Sequence, residues 1–193
     1  MIISGTRLLN TPIMSLQTGS ELARTSRAII DPKNLEIVAY ELTGQLLETK
    51  PSLLRIVDVR EFSDVGIIVD SSDEFVTPAD IIKLQDIYEL YFSLEKKHVI
   101  DEKKHKIGHV TGYTLNTVDF MVQQMNVKRP LLKSFSDTEL IIHRNQIIEI
   151  NDSAVIIHSD SETPEPLLES VRTAYVNPFR KNPQAEQLRS EKS

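Results

Sequence analysis

The stretch TSRAIIDPKNLEIVAYEL, residues 25–42, sets a turn sequence, Asp31-Pro32-Lys33-Asn34, between two runs rich in apolar and β-branched residues. Pro fixes φ near about −65°, and Asp and Asn side chains accept hydrogen bonds from backbone N–H groups two residues further on. Flanked by such runs, these four residues read as the turn of a β-hairpin. The competing reading, an acid–base role for Asp31, depends on whether the carboxylate itself recurs wherever the pattern does.

The pattern recurs once. Shifted by 85 positions, LLNTPIMSLQTGSELARTSRAIIDPKNLEIVAYEL lies over SLEKKHVIDEKKHKIGHVTGYTLNTVDFMVQQMNV. Leu9 meets Leu94, Met14 meets Val99, Leu22 meets Ile107 and Ala23 meets Gly108. Leu35 meets Phe120, Ile37 meets Val122 and Leu42 meets Val127. After a three-residue insertion the offset becomes 88, and LLRIVDVREFSDVGIIVDS lies over IIHRNQIIEINDSAVIIHS, pairing Glu61 with Glu149 and Ile68 with Ile156. Asp31 is matched by Asn116, which has no acid–base chemistry but serves a turn equally well. Asp31 is therefore read as geometry, and the chain as a tandem duplication.

Each copy reads as short strands between Gly, Pro, Asn and Asp clusters, the signature of a small antiparallel sheet or barrel. In the first copy the strands are expected over residues 12–16, 22–30, 35–42, 53–62 and 67–70. Between the copies, TPADIIKLQDIYELYFSL begins with an N-cap Thr77 and Pro78, then spaces Ile81, Leu84, Ile87 or Tyr88, and Tyr91 as a helix would. The expected architecture is all-β: a barrel over residues 1–75, a helical linker over 76–92, a second barrel over 93–158, and a largely disordered tail over 159–193. The tail is rich in Ser, Pro and charge, although Pro166, Leu167, Leu168, Val171 and Tyr175 have the spacing of a short amphipathic helix.

The bulk numbers narrow the function classes. Among 193 residues, 40% are hydrophobic and 26% charged, the make-up of a globular protein with a sizeable core. A net charge of −6 argues against uniform nucleic-acid coating, and the absence of Cys excludes disulfides and thiolate metal sites. No apolar run approaches the roughly 20 residues of a membrane helix. The opening MIISGTRLLNTPIMS lacks the layout of a secretion signal, so the expected compartment is the cytoplasm.

GSELARTSRAIIDPKNLEIVAYEL resembles the opening of a PRC-barrel domain: a small residue after Leu22, a strand, an Asp-Pro turn and a returning apolar strand. HKIGHVTGYTLNTVDFMVQQMNV resembles it again, with Ile107-Gly108 closer to the usual Leu-Gly than Leu22-Ala23 is. IIHRNQIIEINDSAVII is similar to the family's last two strands. The resemblance covers roughly residues 8–70 and 94–158. It implies compact β-barrels used as interaction modules, as in the cytoplasmic part of photosynthetic reaction-centre H subunits, a ribosome-maturation factor and archaeal cell-division proteins, none of which uses the barrel as an enzyme.

No catalytic constellation competes with that reading. His98, His105 and His109 are crowded by lysines, without the carboxylates that would complete a metal site. There is no Gly-x-Ser-x-Gly elbow or Gly-rich phosphate loop. The expectations are thus no enzyme activity, no cofactor and no metal, and a protein partner or, alternatively, RNA or the ribosome; DNA is not expected. Charge nominates the surface. Residues 1–75 hold seven Lys and Arg against eleven Asp and Glu, a balance of −4, whereas residues 95–133 hold eight against four, a balance of +4. The basic candidates are Lys103, Lys104, Lys106, Lys128 and Arg129, with Lys96, Lys97 and Lys133 nearby. Leu131, Leu132 and Phe135 form an apolar cluster beside them, read first as packing and second as a docking patch. In the tail, Tyr175, Phe179 and Arg180 have the composition of a linear anchor.

Overall fold

The computed structural model describes residues 1–129, 139–151 and 153–158. Within them the chain is mostly strand, arranged as two sheets, with one α-helix. The first sheet contains β2 (Pro12–Ser15), β3 (Glu21–Asp31), β4 (Glu36–Thr43), β5 (Leu53–Arg55), β6 (Glu61–Ser63), β7 (Gly66–Val69) and β8 (Phe75–Val76), in the order β6-β7-β2-β3-β4-β5-β8. The second contains β9 (His98–Asp101), β10 (Lys106–Asn116), β11 (Val122–Lys128), β12 (Glu139–His143), β13 (Ile147–Ile150) and β14 (Ala154–Ile157), in the order β13-β14-β9-β10-β11-β12. An N-terminal strand, β1 (Ile2–Ser4), pairs with the end of β10.

From β6 to β5 the second order repeats the first, β8 and β1 apart, including the parallel pairs β2–β7 and β9–β14 among otherwise antiparallel ones. The register repeats too. Ala28 faces Tyr40 and Ile29 faces Ala39 across β3–β4; 85 positions later Tyr113 faces Met125 and Thr114 faces Gln124. Irregularities fall between Thr25 and Arg27 and between Ile29 and Ile30, and again between Val110 and Gly112 and between Thr114 and Leu115. Bulges bend and twist a strand at fixed points, so a shared bulge pattern gives both sheets the same curvature. Both sheets are open paths: among the described residues no pairing joins the end strands.

The turn at Asp31 and its counterpart at Asn116 are built alike. Lys33 N–H donates to Asp31 Oδ1 at 2.9 Å and Val118 N–H to Asn116 Oδ1 at 3.2 Å. Leu35 and Phe120 follow with φ of 57° and 53°, and their N–H groups close the turns onto the carbonyls of Asp31 and Asn116, each at 2.8 Å. Beyond them the two hairpins clasp each other. Ile37 N–H donates to Phe120 O and Val122 N–H to Leu35 O, both at 2.9 Å. Exchanging the halves turns one bond into the other, so the clasp has local pseudo-twofold symmetry about the Glu36–Met121 bridge. Phe120 carries the contact into the first sheet, its ring centroid 4.7 Å from that of Phe62. One core cluster accordingly runs through both sheets, from Ile13, Ile37 and Ile67 to Val99, Leu115 and Val155.

Two expectations need correction. The run over residues 53–62 is not one strand: a 3₁₀ turn, Ile56–Asp58, separates β5 from β6, and Arg144–Gln146 does the same between β12 and β13. The offset of 85 also fails ahead of β3. There Leu8, not Leu9, is the buried match of Leu94, and Ile13, not Met14, that of Val99. The turn after β2 is one residue longer than the turn after β9, and a one-residue slip exchanges the two faces of a strand.

The segment between the copies does more than connect. Its helix, α1 (Ile82–Glu89), is shorter than the apolar spacing foretold and lies on the outer face of the first sheet, where Leu84 and Ile87 pack against Ile29, Ala39 and Leu53. The Asp80 carboxylate accepts from Thr77 N–H at 2.6 Å and from its hydroxyl at 2.9 Å, fixing the entry.

Candidate interaction site

The turn between β9 and β10 is made by Asp101 and His105. Lys104 N–H donates to Asp101 O at 2.9 Å, and Asp101 N–H to His105 O at 3.0 Å. The buried Asp101 carboxylate then takes the His105 N–H at 2.7 Å and meets the ring Nδ1 at 2.8 Å. Burial pushes the Asp101 pKa up, but these hydrogen bonds prevail and hold it below the usual carboxylate value. With its two ends so occupied, the turn presents Lys103 and Lys104 to solvent. Lys104 takes φ 64°, a left-handed conformation more often left to Gly or Asn.

Lys106 opens β10, and pairing with both neighbours then sets His98, His109 and Lys128 in one cross-strand row, with Arg129 following. All seven of these side chains are exposed. Strands β10 and β11 come very close here: a Cβ on Gly108 would lie 2.2 Å from Lys128 O. The equivalent row on the first sheet is Pro12, Arg24 and Thr43, and Glu21 binds both sides of the Arg24 guanidinium at 2.7 Å. Where the first sheet has Glu21, the second has Lys106. The two copies therefore share a scaffold and differ in sign at this end.

The remaining basic candidates separate by environment. Lys96 is exposed. Lys97 is committed to structure, with Nζ 2.9 Å from Asn151 O and 4.9 Å above the Phe92 ring. His105 is engaged by Asp101, and His158 pairs with Glu102. Among the described residues no three His, Asp or Glu side chains are grouped to hold a metal, and no helix is long and apolar enough to cross a membrane. Leu131, Leu132, Lys133, Phe135, Tyr175, Phe179, Arg180 and the expected disordered tail lie outside the described residues. In the first copy Leu46, the match of Leu131, is 70% exposed, while Leu47 packs on the core.

One feature was not foreseen. A groove of ≈ 380 Å³ runs between β3 and residues 91–95, with Arg27, Tyr91, Leu94 and Tyr113 on its walls. Arg27 is held by Glu41 at 2.8 Å and lies 5.1 Å from the Tyr88 ring centroid. Tyr113 is driven into the wall, over Gly5, and burial followed by the nearby Glu95 pushes its pKa up to about 12. The signal in the sequence was Tyr113 standing where the first copy has Ala28. The groove's cation is already paired, whereas the row on the second sheet faces solvent with Lys106 in place of a carboxylate. No protein-family model matches this chain, and comparison with curated proteins finds no match.

Proposed function

We propose that the protein is a non-enzymatic adaptor, a tandem pair of PRC-barrel-like domains over residues 1–75 and 93–158, that docks an acidic protein segment on the basic end of its second sheet. One observation carries this reading: the row Pro12–Arg24–Thr43, neutralised by Glu21, becomes His98–His109–Lys128 beside Lys106 on an otherwise equivalent scaffold. An exposed cationic cluster on an acidic protein steers oppositely charged partners and rejects like-charged ones. The repeated strand order and bulges support the tandem assignment. Capture of partners from native cells by the full chain and by its K103E/K104E/K106E variant tests the proposal. Partners retained by the wild type and lost from the variant are expected. Identical partners on both, or turnover of a metabolite by the pure protein, would overturn it.

RNA is the second reading, since the same charges fit phosphates. The segment spanning residues 96–109, with Lys128 and Arg129, contains no Phe, Tyr or Trp on which bases would stack, which is why the protein partner is preferred. If RNA is the ligand, the logarithm of affinity falls with the logarithm of salt by about 0.7 per phosphate contact on a single strand, and the triple variant flattens that slope by about 2.

A further inference from the structure

We propose that the outer edge of β12 is a self-association surface, on which the β12 strand of a second copy of this chain pairs antiparallel. β12 ends the second sheet, and among the described residues no strand pairs with its outer edge. The first sheet shows what such an edge accepts. The match of β12 there is β5, Leu53 falling on Ile141. It pairs with β4 on one side and takes β8 antiparallel on the other, Leu53 against Val76 and Leu54 against Phe75. The second half of the sequence lacks the residues of that covering strand. Ser71 to Glu74 fall on Ser159 to Glu162, and Thr77-Pro78 on Thr163-Pro164, so Phe75-Val76 have no counterpart.

An uncovered edge presents backbone donors and acceptors to any strand of fitting register. In β12, Leu140 and Ile142 turn toward the core, whereas Glu139, Ile141 and His143 are exposed, Ile141 at 60%. The His143 N–H donates to Gln146 Oε1 at 2.8 Å rather than to β11. Backbone groups alternate between the two edges of a strand, so Ile141, two residues earlier, directs its N–H and C=O outward as well. A second β12 centred on the same residue then sets Ile141 against Ile141, exchanging two backbone hydrogen bonds about a twofold axis. That register is self-complementary in its side chains. It places Glu139 of each copy opposite His143 of the other, and Leu140 opposite Ile142. His143 Nδ1 accepts from Asn145 N–H at 3.4 Å, so in the neutral ring the proton stands on Nε2, available to the facing carboxylate. On the outer face the two Ile141 side chains cover the apolar area that each exposes alone.

Five residues a side make a small seam, so a reversible monomer–dimer equilibrium is expected rather than an obligate dimer. Sedimentation equilibrium of the full chain over a range of concentrations measures it. The wild type should approach twice the monomer mass, and I141K, which sets two like charges on the axis, should stay monomeric. H143E puts Glu opposite Glu at both ends of the seam and should raise the dissociation constant at least about tenfold. E139H/H143E exchanges the partners and should restore it. Urea unfolding verifies that each variant is folded. Because the chain has no Cys, I141C gives a readout that needs no change of charge. It should form a disulfide between chains at least about tenfold faster than V118C, whose site in the β10–β11 turn is 83% exposed. A monomer at every concentration, a dimer that I141K leaves intact, a folded E139H/H143E that fails to associate, or equal cross-linking of the two cysteines would overturn the proposal.

Discussion

Phe120→Ala tests whether the two sheets form one cooperative structure. Phe120 is 3% exposed at the tip of the β10–β11 turn, and its ring packs on Phe62 of the first sheet. It sits at φ 53°, but Ala and Phe both carry a Cβ and meet similar strain there, so the substitution reports the side chain. Removing a buried Phe costs about 3–5 kcal/mol in lost transfer energy and residual cavity. Against the roughly 5–15 kcal/mol that holds a domain together, that is a large share of the total. The assay is native-state hydrogen exchange at Ala39 in β4 and Met125 in β11, both fully buried, with urea unfolding alongside. Because the contact spans the two halves, protection at Ala39 and at Met125 should fall by the same amount. A cycle with Phe62→Ala should leave a coupling of about 0.5–1.5 kcal/mol beyond the burial of either ring. Loss of protection at Met125 with Ala39 unchanged would refute the reasoning, as would a coupling indistinguishable from zero.

The turn logic predicts that Asp31→Asn changes urea stability by less than about 0.5 kcal/mol, since Asn116 does the same work, while Asp31→Ala strands the Lys33 N–H and costs about 1 kcal/mol. Gly108→Ala would put a methyl carbon 2.2 Å from Lys128 O; parting β10 from β11 should cost about 1–3 kcal/mol in a denaturant melt and weaken partner binding at Lys128. Asp101 predicts an acid limb. Its pKa is lowered on folding, so the stability it lends is complete above the unfolded value of about 3.9 and is lost as pH falls through the lower folded one. Wild type should exceed Asp101→Asn in urea unfolding at neutral pH and lose that lead below about pH 4; a lead that persists in acid would refute the assignment.

The sequence disclosed what is local or periodic. The Asx turns at Asp31 and Asn116, the strand pattern around them and the small residues Ala23 and Gly108 were all legible, because each is dictated by backbone geometry within a few residues. The slip ahead of β3 was not. Leu8 and Leu9 are equally apolar, as are Ile13 and Met14, and only pairing across the sheet decides which of each faces inward. The break between β5 and β6 escaped for a related reason: Ile56 and Val57 are good strand residues, yet they turn. The reach of α1 was legible as helix but not as cover, because its target is formed by Ile29, Ala39 and Leu53 from three separate strands. At the candidate site, Lys103, Lys104 and Lys106 stood out as neighbours in sequence. His98, His109 and Lys128 became a row only through the register, and Lys97 left the group only when its contacts to Asn151 and Phe92 were seen.

Two copies on one scaffold supply an internal control. Where they agree, the shared geometry accounts for the residue: Asp31 and Asn116 accept the same hydrogen bond, and Leu35 and Phe120 take the same left-handed φ. Where they differ, the scaffold mostly admits both choices, Ala23 against the close-packed Gly108 being an exception. Glu21 against Lys106 reverses a charge at the same strand position, Thr18-Gly19 against Lys103-Lys104 turns a neutral corner into a cationic one, and Ala28 against Tyr113 fills one wall of the groove. Folding needs alone would let such differences scatter over the surface. Instead, Lys103, Lys104, Lys106 and Lys128 all gather at the end of the second sheet where β9, β10 and β11 meet. A concentration of like charge opposes stability through self-repulsion, and the proposed docking role is the reason offered for it. Restoring the first copy's residues at Lys106 and Lys128, as Lys106→Glu with Lys128→Thr, should therefore leave the fold no less stable while abolishing whatever that end of the sheet binds.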